Sequence, residues 1–507
     1  MKRSVLGFLL SLLAVPLAGA WSGGVAYPVV DTGQVKCYGT SRHPGMGSCP
    51  AKEHPLYGQD AQYTDHAPAY RDNGDGTVTD LVTGLMWQKA FARDVAWRDA
   101  AGFARRADTG GYQDWRVPTI KELYSLILFT GNMGLDIESS TPFIDTDFFG
   151  FEYGDESAGE RFIDCQDWSS ATYVDAVMGG QEGAFGVNFA DGRIKCYPKF
   201  DPASGSDKLL YVRYVRGNSQ YGINDLTDNG DGTISDAATG LMWSAASSDQ
   251  GLKWEEALEY AQQVNEAEYL GFSDWRLPNI KELQSIVDYS RSPSTTDSPA
   301  IDPMFEVPEI EDNEYPFYWS NTTHVDGPTD IQYRSAAYIS FGRALGWMEQ
   351  PPNSGNLVLL DVHGAGAQRS DPKDGNPDDY PYGHGPQGDV IRIYNYVRLV
   401  RDLDTSSSLE EEHTALPESI ELAQNQPNPF NSSTVIHYTL PQAGNISLEV
   451  FDLLGQQVAV MASGYQQPGS HSVVWQADNN GNLPSGIYFY RLSVSGETLV
   501  RRMTYLK

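Results

Sequence analysis

Basic residues are scarce in this chain: 35 Lys and Arg stand against 67 Asp and Glu in 507 residues, a formal net charge of −32. So acidic a surface argues against nucleic acid or an anionic membrane as partner, because both repel it. Long apolar runs are also missing. Beyond the first twenty residues none approaches the ~20 apolar positions a spanning helix needs, so no transmembrane segment is expected. Nucleophile and phosphate signatures are absent as well, with no Gly-x-Ser-x-Gly elbow and no Gly-x-x-x-x-Gly-Lys-Ser/Thr loop. Cysteine is confined to positions 37, 49, 165 and 196. Four such residues fit an oxidising compartment, and three connectivities are open to them. Nearest-neighbour pairing gives Cys37–Cys49 and Cys165–Cys196, each worth roughly 3–4 kcal/mol by chain entropy.

What the chain does have is a repeat. Asp72-Asn-Gly-Asp-Gly-Thr, then Thr83-Gly-Leu-Met-Trp and Asp114-Trp-Arg, returns as Asp228-Asn-Gly-Asp-Gly-Thr, Thr239-Gly-Leu-Met-Trp and Asp274-Trp-Arg. A period this long is a duplicated domain. Residues 1–20 read as a signal peptide, with Lys2 and Arg3 before an apolar core and Ala18-Gly-Ala as the cleavage site. Residues 21–66 form a disulfide-stapled lead-in attached to the first repeat. The first repeat spans 67–217 and the second 221–402, closing on Tyr211-Val-Arg-Tyr-Val-Arg and Tyr396-Val-Arg-Leu-Val-Arg. Residues 403–421 are an acidic, Ser-rich linker. From 422 to 507 short β-type runs alternate with turn residues.

Within each repeat the elements can be read twice. Asn-Gly and Asp-Gly supply the positive φ of a tight hairpin. Trp97, Ala100, Ala101 and Ala104, and again Trp254, Ala257, Leu258 and Ala261, have helical spacing with one apolar face. Thr119 with Glu122 and Asn279 with Glu282 have the spacing of a capping box opening a second helix. Two helices embedded in an antiparallel sheet give an α+β module.

These five blocks in fixed order resemble the domain named for the C-terminal part of a bacterial collagen-like adhesin, the Lcl C-terminal domain. The resemblance implies two C-type lectin-like modules in tandem, within a wider group of carbohydrate and protein binders that also holds formylglycine-generating enzymes. In the adhesin this domain binds sulfated glycosaminoglycans; the acidity of this chain departs from that. The second repeat lacks cysteine, and the first has only two, so the cysteine chemistry of the enzymatic relatives is missing. The C-terminus is similar to a type IX secretion sorting domain through Gln426-Pro-Asn-Pro-Phe-Asn, Val450-Phe-Asp-Leu-Leu-Gly and Leu483-Pro-Ser-Gly-Ile-Tyr. That resemblance implies an immunoglobulin-like β-sandwich, the type IX machinery as partner, and a protein secreted from or displayed on a Gram-negative cell.

The candidate site lies in a stretch found only in the second repeat, 361–389. It offers Asp361, His363, Asp371, Asp374, Asp378, Asp379, Tyr382 and His384 as ligand contacts, without the spacing of a helical zinc motif. Calcium is the one cofactor to weigh, since Asp-rich loops suit hard cations. An EF-hand register on Asp75 or Asp231 leaves Arg71 or Thr227 at its first position, which favours a plain hairpin. No cofactor and no catalytic residue is therefore expected. The reading is a non-enzymatic secreted or surface-displayed binder, an adhesin for an extracellular glycan or protein. An extracellular enzyme with its site in 361–389 and a ligand-free surface-layer component are the alternatives.

Overall fold

The computed structural model describes residues 25–505 except 202–203, 312, 404–419, 426–427, 429, 431–432, 443, 467–468, 477–482 and 495–496. The expected signal peptide, most of the linker and part of the Gln426 motif lie outside the described residues. The chain divides into two compact units, 1–405 and 406–507.

The first unit corrects the expected α+β, C-type lectin-like modules. It is β-rich, and its helices are short: Trp97–Ala104, Ile120–Ser125, Trp254–Glu266, Ile280–Ser285 and Pro293–Thr296. The helical spacings were real but run only two to four turns, too little to build a helical layer. Ala101, read as core, faces solvent while Ala100 and Ala104 are buried. Both caps form. The Thr119 hydroxyl accepts from Glu122 N at 3.2 Å, and Thr119 N donates to the Glu122 carboxylate at 2.8 Å. Asn279 and Glu282 do the same at 2.9 and 2.8 Å.

The repeats are not separate modules. One eight-stranded sheet runs through both, in the order Phe317–His324, Ser335–Ser340, Gln368–Pro372, Arg193–Pro198, Gln181–Asn188, Gln166–Val177, Leu209–Val212, Ala92–Ala96. Equivalent strands mirror one another about the seam where Gln368 pairs with Ile194. Above this seam the two capped helices meet reciprocally. Lys121 Nζ donates to Ser285 O at 2.6 Å, and Lys281 Nζ donates to Ser125 O at 2.9 Å. Ile120, Leu123 and Ile127 share a single buried core with Ile280, Leu283 and Ile286.

The repeated motifs are scaffold. Gly74 and Gly76 take φ of 77° and 88°, closing the hairpin between Tyr70–Asp72 and Thr77–Asp80. Asp72 accepts from Gly74 N and Asp75 from Thr77 N and Oγ1, so the loop acids are held by their own turn. Arg116 and Arg276 each grip the helix acid, Glu122 or Glu282, with two nitrogens. Asp114 and Asp274 pair with Arg216 and Arg401 of the closing strands.

Two expectations about the cysteines and the lead-in separate here. Cys37–Cys49 is bonded. Cys165 and Cys196 are two buried free thiols, not the expected bridge. Gln166 pairs with Asn188, whereas Cys196 pairs with Phe185 on the other side of the same strand. That places the cysteines two strand spacings apart, ~9.5 Å, and about four residues, ~13 Å, out of step. A bridge needs Cα atoms within about 7 Å. The lead-in bonds to both repeats: from the first, Phe129 N donates to Thr32 O at 2.8 Å and Phe129 O accepts from Gln34 Nε2 at 3.3 Å, and the second adds contacts of its own. Thr322 donates to the Asp60 carboxylate, Thr323 N donates to Gln34 Oε1 at 3.0 Å, and Tyr63 stacks over Arg276 at 5.4 Å.

The second unit holds two antiparallel sheets, Glu421–Leu422, Ser433–Leu440, Gly469–Gln476 and Gln457–Gln466, Gly444–Phe451, Gly486–Val494, Glu497–Tyr505. Alternate residues such as Ile446, Leu448, Val450 and Tyr488, Tyr490, Leu492 fill the core they share.

Candidate functional site

The two repeats differ most between Phe341 and Gly366. In the first repeat the chain turns directly from Gln181–Asn188 into Arg193–Pro198, and Gly192 N donates to Asn188 O at 2.9 Å. In the second repeat the equivalent bond, Gly366 N to Ser340 O at 2.7 Å, is reached only after an inserted hairpin of Leu345–Glu349 and Leu357–Asp361. The register also puts Ser370 at the place of Cys196, since Ile339 pairs with Gln368 as Val187 pairs with Ile194.

The hairpin is tied down on both sides. Trp347 N donates to Gly388 O at 2.8 Å and Val390 N to Leu345 O at 3.0 Å, which sews the 382–390 loop onto its free edge. Its base crosses the seam onto the first repeat. Tyr173 Oη donates to Asp361 at 2.7 Å, Gly364 N donates to the same carboxylate at 2.9 Å, and Cys196 N donates to His363 O at 2.8 Å. On the outer face Trp347 lies across from Leu359, and Tyr382 meets the Trp347 ring edge-on at 5.7 Å. Tyr382 is 59% exposed, Leu359 40% and Leu357 38%. This is an aromatic and aliphatic platform in water.

Behind the platform lies a buried charge cluster. His363 Nε2 sits 2.7 Å from Asp389, whose other oxygen accepts from Arg369. Burial holds the His363 imidazole down to about 4 despite Asp389. Burial alone would raise Asp389, but Arg369 and His363 outweigh it and keep the carboxylate ionised well below its usual range. Burial pushes Asp361 up to about 7 against the Tyr173 hydrogen bond.

The candidate residues from 361–389 thus disperse. Asp371 is interior, accepting from Arg392 N, Ile393 N and Asn395 Nδ2, and burial raises it to about 6. Asp374 accepts from Ser41 N and Oγ of the lead-in. Asp378 and Asp379 lie exposed in the turn Pro377–Asp379. His384 stacks edge-on with Tyr380 at 6.2 Å. Among the described residues no three His, Cys, Asp or Glu converge as a metal cage. Gln368–Pro372 is an ordinary strand of the central sheet, so the stretch 361–389 is not one loop. Tyr382 reaches the platform, but Leu357 and Leu359 were not singled out. The alternation Trp347, Glu349 against Leu357, Leu359 around Pro351-Pro-Asn-Ser-Gly was the available signal.

The model of the Lcl C-terminal domain matches residues 76–216 and 232–358, more than half of the chain. The chain belongs to the Lcl C-terminal domain family. The second family match stops inside the inserted hairpin, while the repeat continues to the strand Val400–Asp402. Residues 426–505 match the secretion system C-terminal sorting domain. This Lcl C-terminal domain protein is therefore secreted or displayed at the cell surface. No helix among its described residues is long and apolar enough to cross a membrane. No curated protein matches it. Three solved structures show limited similarity. The alkylpurine DNA glycosylase AlkC of Pseudomonas fluorescens, bound to abasic-site DNA, gives a TM-score of 0.14 at 11% identity over 17% of this chain and 30% of its own. Dimeric latent PorU of Porphyromonas gingivalis gives 0.16 at 10% over 64% and 26%. PorZ of Porphyromonas gingivalis, a surface component of the type IX secretion system, gives 0.13 at 9% over 67% and 46%. The chain spans less than half of each, and scores this low assign no shared fold.

Proposed function

We propose that this chain is an exported, non-enzymatic binding protein that recognises an uncharged extracellular glycan on the inserted hairpin. The observation that carries this reading is the pairing of the exposed Tyr382 with the half-buried Trp347 on an insertion that the first repeat lacks. Flat aromatic faces beside polar loop groups suit the apolar face of a sugar ring, and aromatic anchors dominate binding patches. A net charge of −32 disfavours polyanions and leaves neutral sugars as the fitting class. The reading needs no cofactor.

A glycan array probed with the full chain, with calcium and with chelator, tests it. Saturable binding to neutral glycans is expected in both buffers, weakened at least about tenfold by Trp347→Ala with Tyr382→Ala. Binding that survives this double variant, or none at all, overturns the assignment.

A further inference from the structure

The pseudo-symmetry of the two repeats exposes a second site. On the second repeat, the surface formed by Arg276, Asn279, Lys281 and the Asn321-Thr322 corner is covered by the chain's own lead-in. Tyr63 lies over the Arg276 guanidinium, Asp60 takes the Thr322 hydroxyl, and Asp31 O accepts from Lys281 Nζ at 3.1 Å. Arg276 is only 9% exposed there, Asn321 1% and Thr322 0%.

The same surface on the first repeat is Arg116, Thr119, Lys121 and the Ser170-Ala171 corner. Here it opens into a cleft of about 490 Å³. Ser170 is exposed and the Arg116 side chain is 36% exposed against 10% for Arg276. Chain length explains the difference. The lead-in supplies residues 25–69 ahead of Tyr70–Asp72, whereas only 218–225 separate Val215–Gly217 from Leu226–Asp228. Those eight residues reach Lys121, to which Asn224 offers its side-chain oxygen at 2.7 Å, just as Asp31 O serves Lys281. They have no length left to supply a counterpart of 58–64.

We propose that the cleft on the first repeat binds a short segment of a partner protein that presents an aromatic side chain. The ring lies on the outer face of Arg116 as Tyr63 lies on Arg276. Arg116 is neutralised by Glu122, which leaves a planar cationic face suited to stacking. Ile120, Tyr221, Ile223 and Val287 supply the apolar part of the remaining wall, beside the hydroxyls of Ser219 and Ser290. Ala171 replaces Thr322 and removes the hydroxyl that receives Asp60, and Asp288 stands on the rim, so the occupant is uncharged where the lead-in carries its carboxylate.

The test uses the full chain and a labelled peptide copying residues 58–64 with Asp60→Asn. Fluorescence anisotropy is expected to saturate. Ser170→Trp and Ile223→Asp, both at exposed positions, each weaken binding at least about tenfold, and so does Tyr63→Ala in the peptide. Unchanged melting temperatures show that the variants fold. No saturation up to millimolar peptide overturns the proposal, as does equal binding by the blocked variants or by the Tyr63→Ala peptide. Dimerisation of the free chain that Ser170→Trp abolishes overturns the assignment to a partner, because the occupant is then a second copy.

Discussion

Asp60 carries a carboxyl into the interior, where burial pushes it up to about 7 while the Thr322 and Thr32 hydroxyls pull the other way. A carboxyl whose folded value is raised binds more protons folded than unfolded across the window between its ordinary value near 4 and 7. The stability it contributes is therefore full at the acid end and lost as pH rises through 7. Asp60→Asn should melt like the parent near pH 4 and several degrees higher near pH 8, read by circular dichroism at both. Equal differences at the two pH values would sink this account. The cysteines give a second residue-scale test. Burial raises both Cys165 and Cys196 thiols well above their usual range, so they should be silent to alkylation when folded. Denatured without reductant, the chain should take two alkyl groups, with Cys37–Cys49 still closed. Finding none contradicts the register that separates Cys165 from Cys196, and finding four contradicts the Cys37–Cys49 bridge.

At the level of elements, local chemistry was legible and long-range pairing was not. The Asn-Gly-Asp-Gly hairpins and both capping boxes follow from neighbouring residues, and they form as read. The strand Gln368–Pro372 did not, because Arg369, Asp371 and Lys373 look like solvent-facing residues in sequence. Their burial depends on partners far away: Asp389 for Arg369, Asn395 for Asp371, and the lead-in carbonyl of Gly39 for Lys373. The same lack of long-range information made 361–389 look like a loop. The genuine insertion is 342–365, and it can be excised without touching that strand. Replacing 342–365 with Ala-Asp, the turn that the first repeat uses at 190–191, should keep one cooperative melt and abolish glycan binding. Loss of the melt itself, seen by calorimetry, would show that the hairpin is part of the fold.

Duplication in sequence does not here mean two independent domains. The strands of both repeats make one sheet, the half-buried Lys121 and the buried Lys281 each bond a carbonyl of the other repeat, and the helices Ile120–Ser125 and Ile280–Ser285 line one core. Parting the repeats would bare Ile120, Leu123 and Ile127 on one side and Ile280, Leu283 and Ile286 on the other. At ~1.5–3 kcal/mol for each such side chain, three per half cost on the order of 5–9 kcal/mol. That is comparable to the whole stability of an ordinary domain, about 5–15 kcal/mol. The two lysines would also lose the carbonyls that offset their desolvation, which already lowers Lys121 to about 8 and Lys281 to about 7. Residues 67–217 expressed alone should therefore show no cooperative transition, while 25–403 should show a single one for both repeats. Two resolved transitions within 25–403, or a sharp melt from 67–217, would mean that the repeats fold apart and that the shared sheet is secondary to each repeat's own core.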